Sequence, residues 1–218
     1  MPDFTPAPAP AFADRLGALR YADADSKLIL SEPTGLAIAA VVARRDHAAR
    51  MVAGLEALVG APVRDGPFCS GGAGRFVVGT GPGSWLLLLE KPDPKWIEDL
   101  RARLSGAGAP ADQSGAYALL SVAGSMARTF LSRGVAIDLH PDVFGEGSAA
   151  ATVVAHIGTI VWRKPAAKAF EVAVPRSYAL SFWHWVETTA ASLGVAPARL
   201  QASAPLDFEP AREASLGS

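Results

Sequence analysis

The chain has one cysteine, Cys69, in 218 residues. A single thiol forms no internal disulfide, so a reducing compartment such as the cytoplasm is expected. Charge is also scarce: charged residues make up 19% of the chain, against about 25% in ordinary soluble domains, and they nearly cancel to a net charge of −1. That balance gives no electrostatic case for nucleic acid or an anionic membrane. It also points to part of the surface facing another protein, because fewer charges must cover the same area. Histidine occurs four times, as His47, His140, His156 and His184. No two of these stand at the i, i+4 spacing of a helical zinc site, so no metal centre is expected. No apolar run nears the ~20 residues that span a bilayer, Trp85 to Leu89 being too short. No basic segment followed by an apolar core opens the sequence, so no secretory signal is expected.

What is present is an apolar chain with clear punctuation. At this length it should bury roughly 70% of its unfolded surface and needs no metal or disulfide staple. Residues 1–30 read as an extended N-terminal arm, Pro/Ala-rich to Pro10 and irregular from Phe12 to Leu30. Residues 31–110 form a first α+β half. The run Leu36 to Ala43 suits a strand covered on both faces, and Asp46 stands where a helix cap belongs. Gly60 and Pro62 end that helix. Cys69 to Gly74 reads as a flexible loop, and Thr80-Gly81-Pro82-Gly83 joins two strands in a hairpin. A helix bearing Trp96, Ile97, Leu100 and Leu104 follows, then a linker-like stretch, Gly106 to Gly115. Residues 111–200 repeat the order: a strand over Ala116 to Ala123, a short helix, strand runs at Thr152 to Arg163 and Phe170 to Pro175, and a last helix from Ser177 to Leu193. Residues 201–218 are a tail. Two strand-helix-strand-strand-helix units with antiparallel sheets predict an α+β fold with a pseudo-twofold.

Candidate chemistry is thin. Gly71, Gly72 and Gly74 are followed by a strand, whereas a phosphate cradle needs a helix there; Gly79, Gly81 and Gly83 fail likewise. Cys69 has no nucleophile signature. Asp138, His140 and Asp142 place two carboxylates about an imidazole, a grouping that serves acid–base work inside a pocket and otherwise decorates a solvated or interface loop. On the last helix, Tyr178, Phe182, Trp185, Thr189 and Leu193 form the main apolar stripe, and the wide apolar sector implies burial on more than one side. Trp183 lies off that stripe and reads as a protein–protein anchor. Arg176 stands at the positive end of the helix dipole, a poor place unless an anion answers it.

Gly79 to Glu90, GTGPGSWLLLLE, resembles a strand pair of the folate-binding fold of the glycine cleavage T-protein (aminomethyltransferase). Gly134 to Gly147, His156 to Lys164 and Phe170 to Gly194 resemble the gamma subunit of heterotetrameric sarcosine oxidase, over about Leu36 to Gly194. The resemblance implies a folate-binding-type α+β domain in a chain without catalytic residues of its own. It implies that this chain packs against an alpha subunit, with beta and delta subunits in the same complex. FAD, FMN, NAD, tetrahydrofolate and zinc would be held by the other subunits, and the complex would oxidise sarcosine to glycine. Asp138, His140, Asp142, Arg176 and Trp183 would then be interface residues or relics of a cleft. The alternatives are a self-sufficient folate-dependent one-carbon transfer protein, with the Asp138–His140–Asp142 loop as its site, and a homo-oligomer of the isolated chain.

Overall fold

The computed structural model describes residues 10–164 and 169–200. Helix α1 (Ala13–Gly17) and strand β1 (Ile29–Ser31) come first. A unit follows of β2 (Leu36–Ala43), α2 (Ala48–Val59), β3 (Cys69–Gly72), β4 (Arg75–Gly81), β5 (Ser84–Glu90), α3 (Trp96–Arg103) and β6 (Gly108–Asp112). The second unit has β7 (Tyr117–Ala123), α4 (Ala127–Leu131), β8 (Ala149–Val154), β9 (Ile157–Arg163), β10 (Phe170–Pro175), α5 (Ala179–Ser192) and β11 (Ala198–Arg199). The sheets run β3-β4-β5-β2-β6 and β8-β9-β10-β7-β1-β11. Corresponding strands thus hold corresponding places, and the predicted α+β fold with antiparallel sheets and a pseudo-twofold is what the chain adopts. β1 is the exception, inserted antiparallel to β7 and parallel to β11.

Period-two alternation in strands that are apolar throughout forces both sheet faces to be covered. In the first sheet Ala39, Val41, Val77, Trp85 and Leu87 face Met51, Leu55 and Val59 of α2 and Leu100 of α3. In the second, Leu120, Val122, Val172 and Val174 face Phe130, Phe182, Trp183 and Val186 of α4 and α5. The alternate residues meet between the sheets: Ile38, Phe76, Val78, Leu86 and Leu88 pack on Leu119, Ile160, Trp162 and Ala173. The layers therefore run helix, sheet, sheet, helix.

Several segments differ from the sequence reading. Cys69 to Gly74 is a paired strand and turn rather than a flexible loop. Its glycines lower strand propensity, but β4 supplies a full ladder, and the Cys69 N–H donates to the Gly147 carbonyl of the second unit at 2.6 Å. The linker-like stretch contains β6, whose Pro110 is tolerated because β6 pairs with β2 alone at the sheet edge. Asp46 does not cap α2; His47 holds that position, and Asp46 takes a left-handed φ of 63°. The segment from Phe12 to Leu30 is not an extended arm. Phe12, Leu16, Leu28 and Leu30 enter the second core, and Glu32 accepts the N–H groups of Ala11 and Phe12 at 2.5 and 2.8 Å. The expectations for residues 1–9 and for the tail at 201–218 lie outside the described residues.

Among the described residues, the seam between the sheets encloses one ion pair. Lys164 Nζ stands 3.3 Å from Glu171 Oε1, with side-chain exposures of 6% and 3%. Lys164 also lies 5.1 Å from the centre of the Phe76 ring across the seam. Burial raises the Glu171 carboxyl above its ordinary value of 4.5, and Lys164 opposes that rise. Removing Lys164 therefore pushes Glu171 higher still. A carboxyl with a raised folded-state pKa contributes its full stability below the unfolded value and loses it as pH rises through the folded one. Lys164→Met should accordingly cost about 3–5 kcal/mol at pH 8 and distinctly less near pH 5, where Glu171 is readily protonated. The double variant Lys164→Met/Glu171→Leu should recover most of the loss. Urea unfolding of the three proteins at both pH values checks this, and an equal deficit at pH 5 and pH 8 would contradict it.

Candidate functional site

The loop between α4 and β8 is held from beneath and open above. Leu139 and Phe144 are buried, and Phe144 stacks on Phe170 with ring centres 6.3 Å apart. Between them the backbone turns over Pro141, the His140 carbonyl accepting from Val143 and Phe144 at 2.9 and 2.7 Å. Asp138 Oδ1 accepts the His140 N–H at 2.7 Å, a local turn that aspartate commonly makes. His140 Nδ1 is 3.5 Å from Asp142 Oδ2, with side chains 62% and 88% exposed. The structure does bring Asp138, His140 and Asp142 together, but in solvent. Water screens such a group, and no enclosing wall positions a substrate against it.

The other candidates separate. Arg176 begins a 3-10 turn at the entrance to α5, where its N–H donates to the Ala116 carbonyl at 2.8 Å. It is half-buried and shares a shallow groove of about 50 Å³ with Glu32 and Tyr117. Cys69 is fully buried, and burial pushes its thiol up to about 12, which leaves no thiolate for nucleophilic work near neutral pH. Among the described residues no group of three or more His, Cys, Asp or Glu side chains could hold a metal ion, and no helix is long and apolar enough to cross a membrane.

Trp183 does not offer the exposed surface that an interface anchor needs. It is 2% exposed and packs against Phe12, with ring centres 5.7 Å apart. The buried face of α5 runs through Ala179, Phe182, Trp183, Val186 and Ala190, while Tyr178 is 53% exposed. The helix is indeed covered on more than one side. The α1 segment supplies the second cover, and that pulls Trp183 inward. Trp185 packs instead on Phe130 at 5.1 Å, close over Gly134, where a Cβ would fall 2.7 Å from its indole. Trp183→Ala should therefore destabilise the lone chain by about 3–5 kcal/mol, as a core truncation does. His140→Ala should change stability by no more than about 0.5 kcal/mol. Thermal melts of the two variants check both; an unchanged melting temperature for Trp183→Ala would restore the interface reading.

Two features were missed in the sequence. One is the Lys164–Glu171 pair, signalled only by a lone glutamate inside the apolar strand run FEVAVP. The other is a pair of arginines, Arg128 and Arg163, both over the ring of Phe170. Nothing in their spacing foretold that meeting, because α4 and β9 are distant in sequence.

Residues 69–192 match the sarcosine oxidase, gamma subunit family, more than half of the chain. No curated protein matches the chain in sequence. Among solved structures, a chain of the heterotetrameric sarcosine oxidase from Corynebacterium sp. U-96, in complex with pyrrole 2-carboxylate, superposes with a TM-score of 0.71. It is 24% identical, and the match covers 87% of this chain and 96% of that one. The glycine cleavage system aminomethyltransferase T from Bartonella henselae shares the fold at 12% identity and a TM-score of 0.56. That match covers 79% of this chain and 48% of the transferase, so this chain spans about half of its length. The two-sheet architecture is thus one that a one-carbon enzyme also uses, and the sequence match makes the narrower assignment: this chain belongs to the sarcosine oxidase, gamma subunit family.

Proposed function

We propose that this chain is a non-catalytic gamma subunit of a heterotetrameric sarcosine oxidase and packs against the alpha subunit, with beta and delta subunits in the same complex. Family membership over residues 69–192 carries the reading. Three physical points support it. The acid–imidazole loop stands in solvent, with Asp142 88% exposed. The thiol is sealed in the seam. The side chains between the sheets also pack closely against one another. Around Trp162, Lys164 and Glu171 the cavity is about 10 Å³, on the order of a single water, whereas small-molecule sites run to roughly 300–1,000 Å³.

On this reading FAD, FMN, NAD, tetrahydrofolate and zinc belong to the other chains, and the assembly demethylates sarcosine oxidatively to glycine in the cytoplasm. The role of this subunit is to present a rigid surface. Two sheets sharing one filled seam resist the sliding that would blur such a surface, because close-packed interiors have low compressibility.

Co-expression with an alpha-type chain should give a complex that survives size exclusion, and the purified subunit alone should consume no oxygen with sarcosine. Tryptophan fluorescence of the lone chain should stay flat on titration with tetrahydrofolate. Saturable micromolar binding would overturn the proposal in favour of a self-sufficient one-carbon transfer protein, and a failure to co-purify would count against the subunit role itself.

A further inference from the structure

Arg128 on α4 and Arg163 at the end of β9 are both half-buried, with guanidinium carbons 5.2 and 5.4 Å from the centre of the Phe170 ring. Among the described residues neither makes a salt bridge. Arg163 gives one weak hydrogen bond, from Nη1 to the Phe144 carbonyl at 3.4 Å. Arg128 Nη1 and Arg163 Nε are shielded from solvent and find no acceptor among the described residues. The two charges also act on each other: desolvation, and then Arg163, lower the Arg128 pKa below its ordinary value, while Asp138 opposes them weakly from the neighbouring loop. Two like charges brought together with shielded donors unused are unfavourable, since a buried donor left unmade carries its full desolvation cost. Phe170, 4% exposed, and the Phe144 ring beneath it fix the platform. A planar fork of donors matches a carboxylate or phosphate better than any other common ligand.

We infer that Arg128 and Arg163 form a receptor for an oxyanion, seated beside Phe170 at the edge of the loop that carries Asp138. The anion is either a free phosphate or carboxylate, or the carboxylate of an acidic side chain on a partner subunit. The chemistry of the site is the same for both, and two experiments separate them.

In the first, the full chain is melted in increasing inorganic phosphate, with sodium chloride added to hold ionic strength constant. A free-anion site should raise the melting temperature by about 2–4 °C once phosphate reaches about five times its Kd, and further as the concentration grows. That rise should vanish in Arg128→Gln and in Arg163→Gln, shrink in Arg128→Lys, and need less phosphate in Asp138→Asn, where the opposing charge is gone. Phosphate also stabilises proteins by exclusion from their surface, so a rise of equal size in both glutamine variants would overturn the inference. In the second, which rests on the subunit reading above, the same variants are co-expressed with the alpha-type chain. If the anion is a partner's carboxylate, each glutamine variant should bind the partner at least about tenfold more weakly while its own melting temperature does not fall, whereas a site for a free anion leaves partner binding unchanged. Absence of both effects would sink the site. If even the unaltered chain does not bind the partner, the subunit reading fails and the phosphate melts decide the matter alone.

Discussion

Everything in this fold depends on the contact between two sheets that each have helices on one face only. A sheet of apolar strands cannot leave its second face in water, and here the two bare faces cover each other. The contact is mostly aliphatic and aromatic, with Phe76, Leu86 and Leu88 against Leu119, Ile160 and Trp162. Into it the chain places Lys164 and Glu171. In energy terms such a pair is close to neutral against apolar side chains of the same volume, so its presence is not explained by stability alone. What it does supply is position. The pair forms only when the end of β9 and the start of β10 stand in one register, with Trp162 opposite Glu171. A slip of one residue would turn Glu171 toward the helices and leave a charge among leucines and valines.

The repeated architecture was legible because its signals are local. Continuous apolar runs bounded by glycine and proline marked β2, β4, β5, β7, β9 and β10, and helical spacing marked α2, α3 and α5. Two of the missed strands have residues that argue against a strand. β3 reads CSGG and β6 reads GAPAD, and each exists because a strong neighbour provides a ladder for it. The same logic explains Gly79, within the stretch that resembles the T-protein. A Cβ there would lie 1.7 Å from the Gly66 carbonyl oxygen, so the position needs the bare backbone to let the preceding loop cross β4. Composition records such a glycine without saying which chain it admits.

The candidate site was the least legible part, for a different reason. Asp138, His140 and Asp142 are adjacent in sequence, so their proximity was visible; their exposure was not, because it depends on Leu139 and Phe144 facing inward. Trp183 failed in the opposite sense. Helical spacing placed it at the margin of the apolar stripe, and Phe12, from a segment that composition marked as an arm, came across to bury it. In both cases the deciding contact is made by a residue with no signal of its own. Arg128 and Arg163 extend the point, since a helix near residue 130 and a strand ending at 163 meet only because Phe170 on β10 lies between them.

Among the described residues, the small size of the cavity at the seam, about 10 Å³, follows from the same constraint that makes the fold. A two-sheet core can open into a cleft only if the facing side chains are small or if the sheets diverge. In this chain Trp162, Phe76 and Leu88 are large and nearly fully buried, and β3 is tied to the second unit by the bond from Cys69 to Gly147. The sheets are clamped at that edge and filled at the centre. A chain built this way holds its loops and half-buried charges on a stiff base. The exposed loop above Phe144 and the arginine pair beside Phe170 share that base. A molecule docking on this face would meet them in fixed relation to each other, because the base that carries both is close-packed.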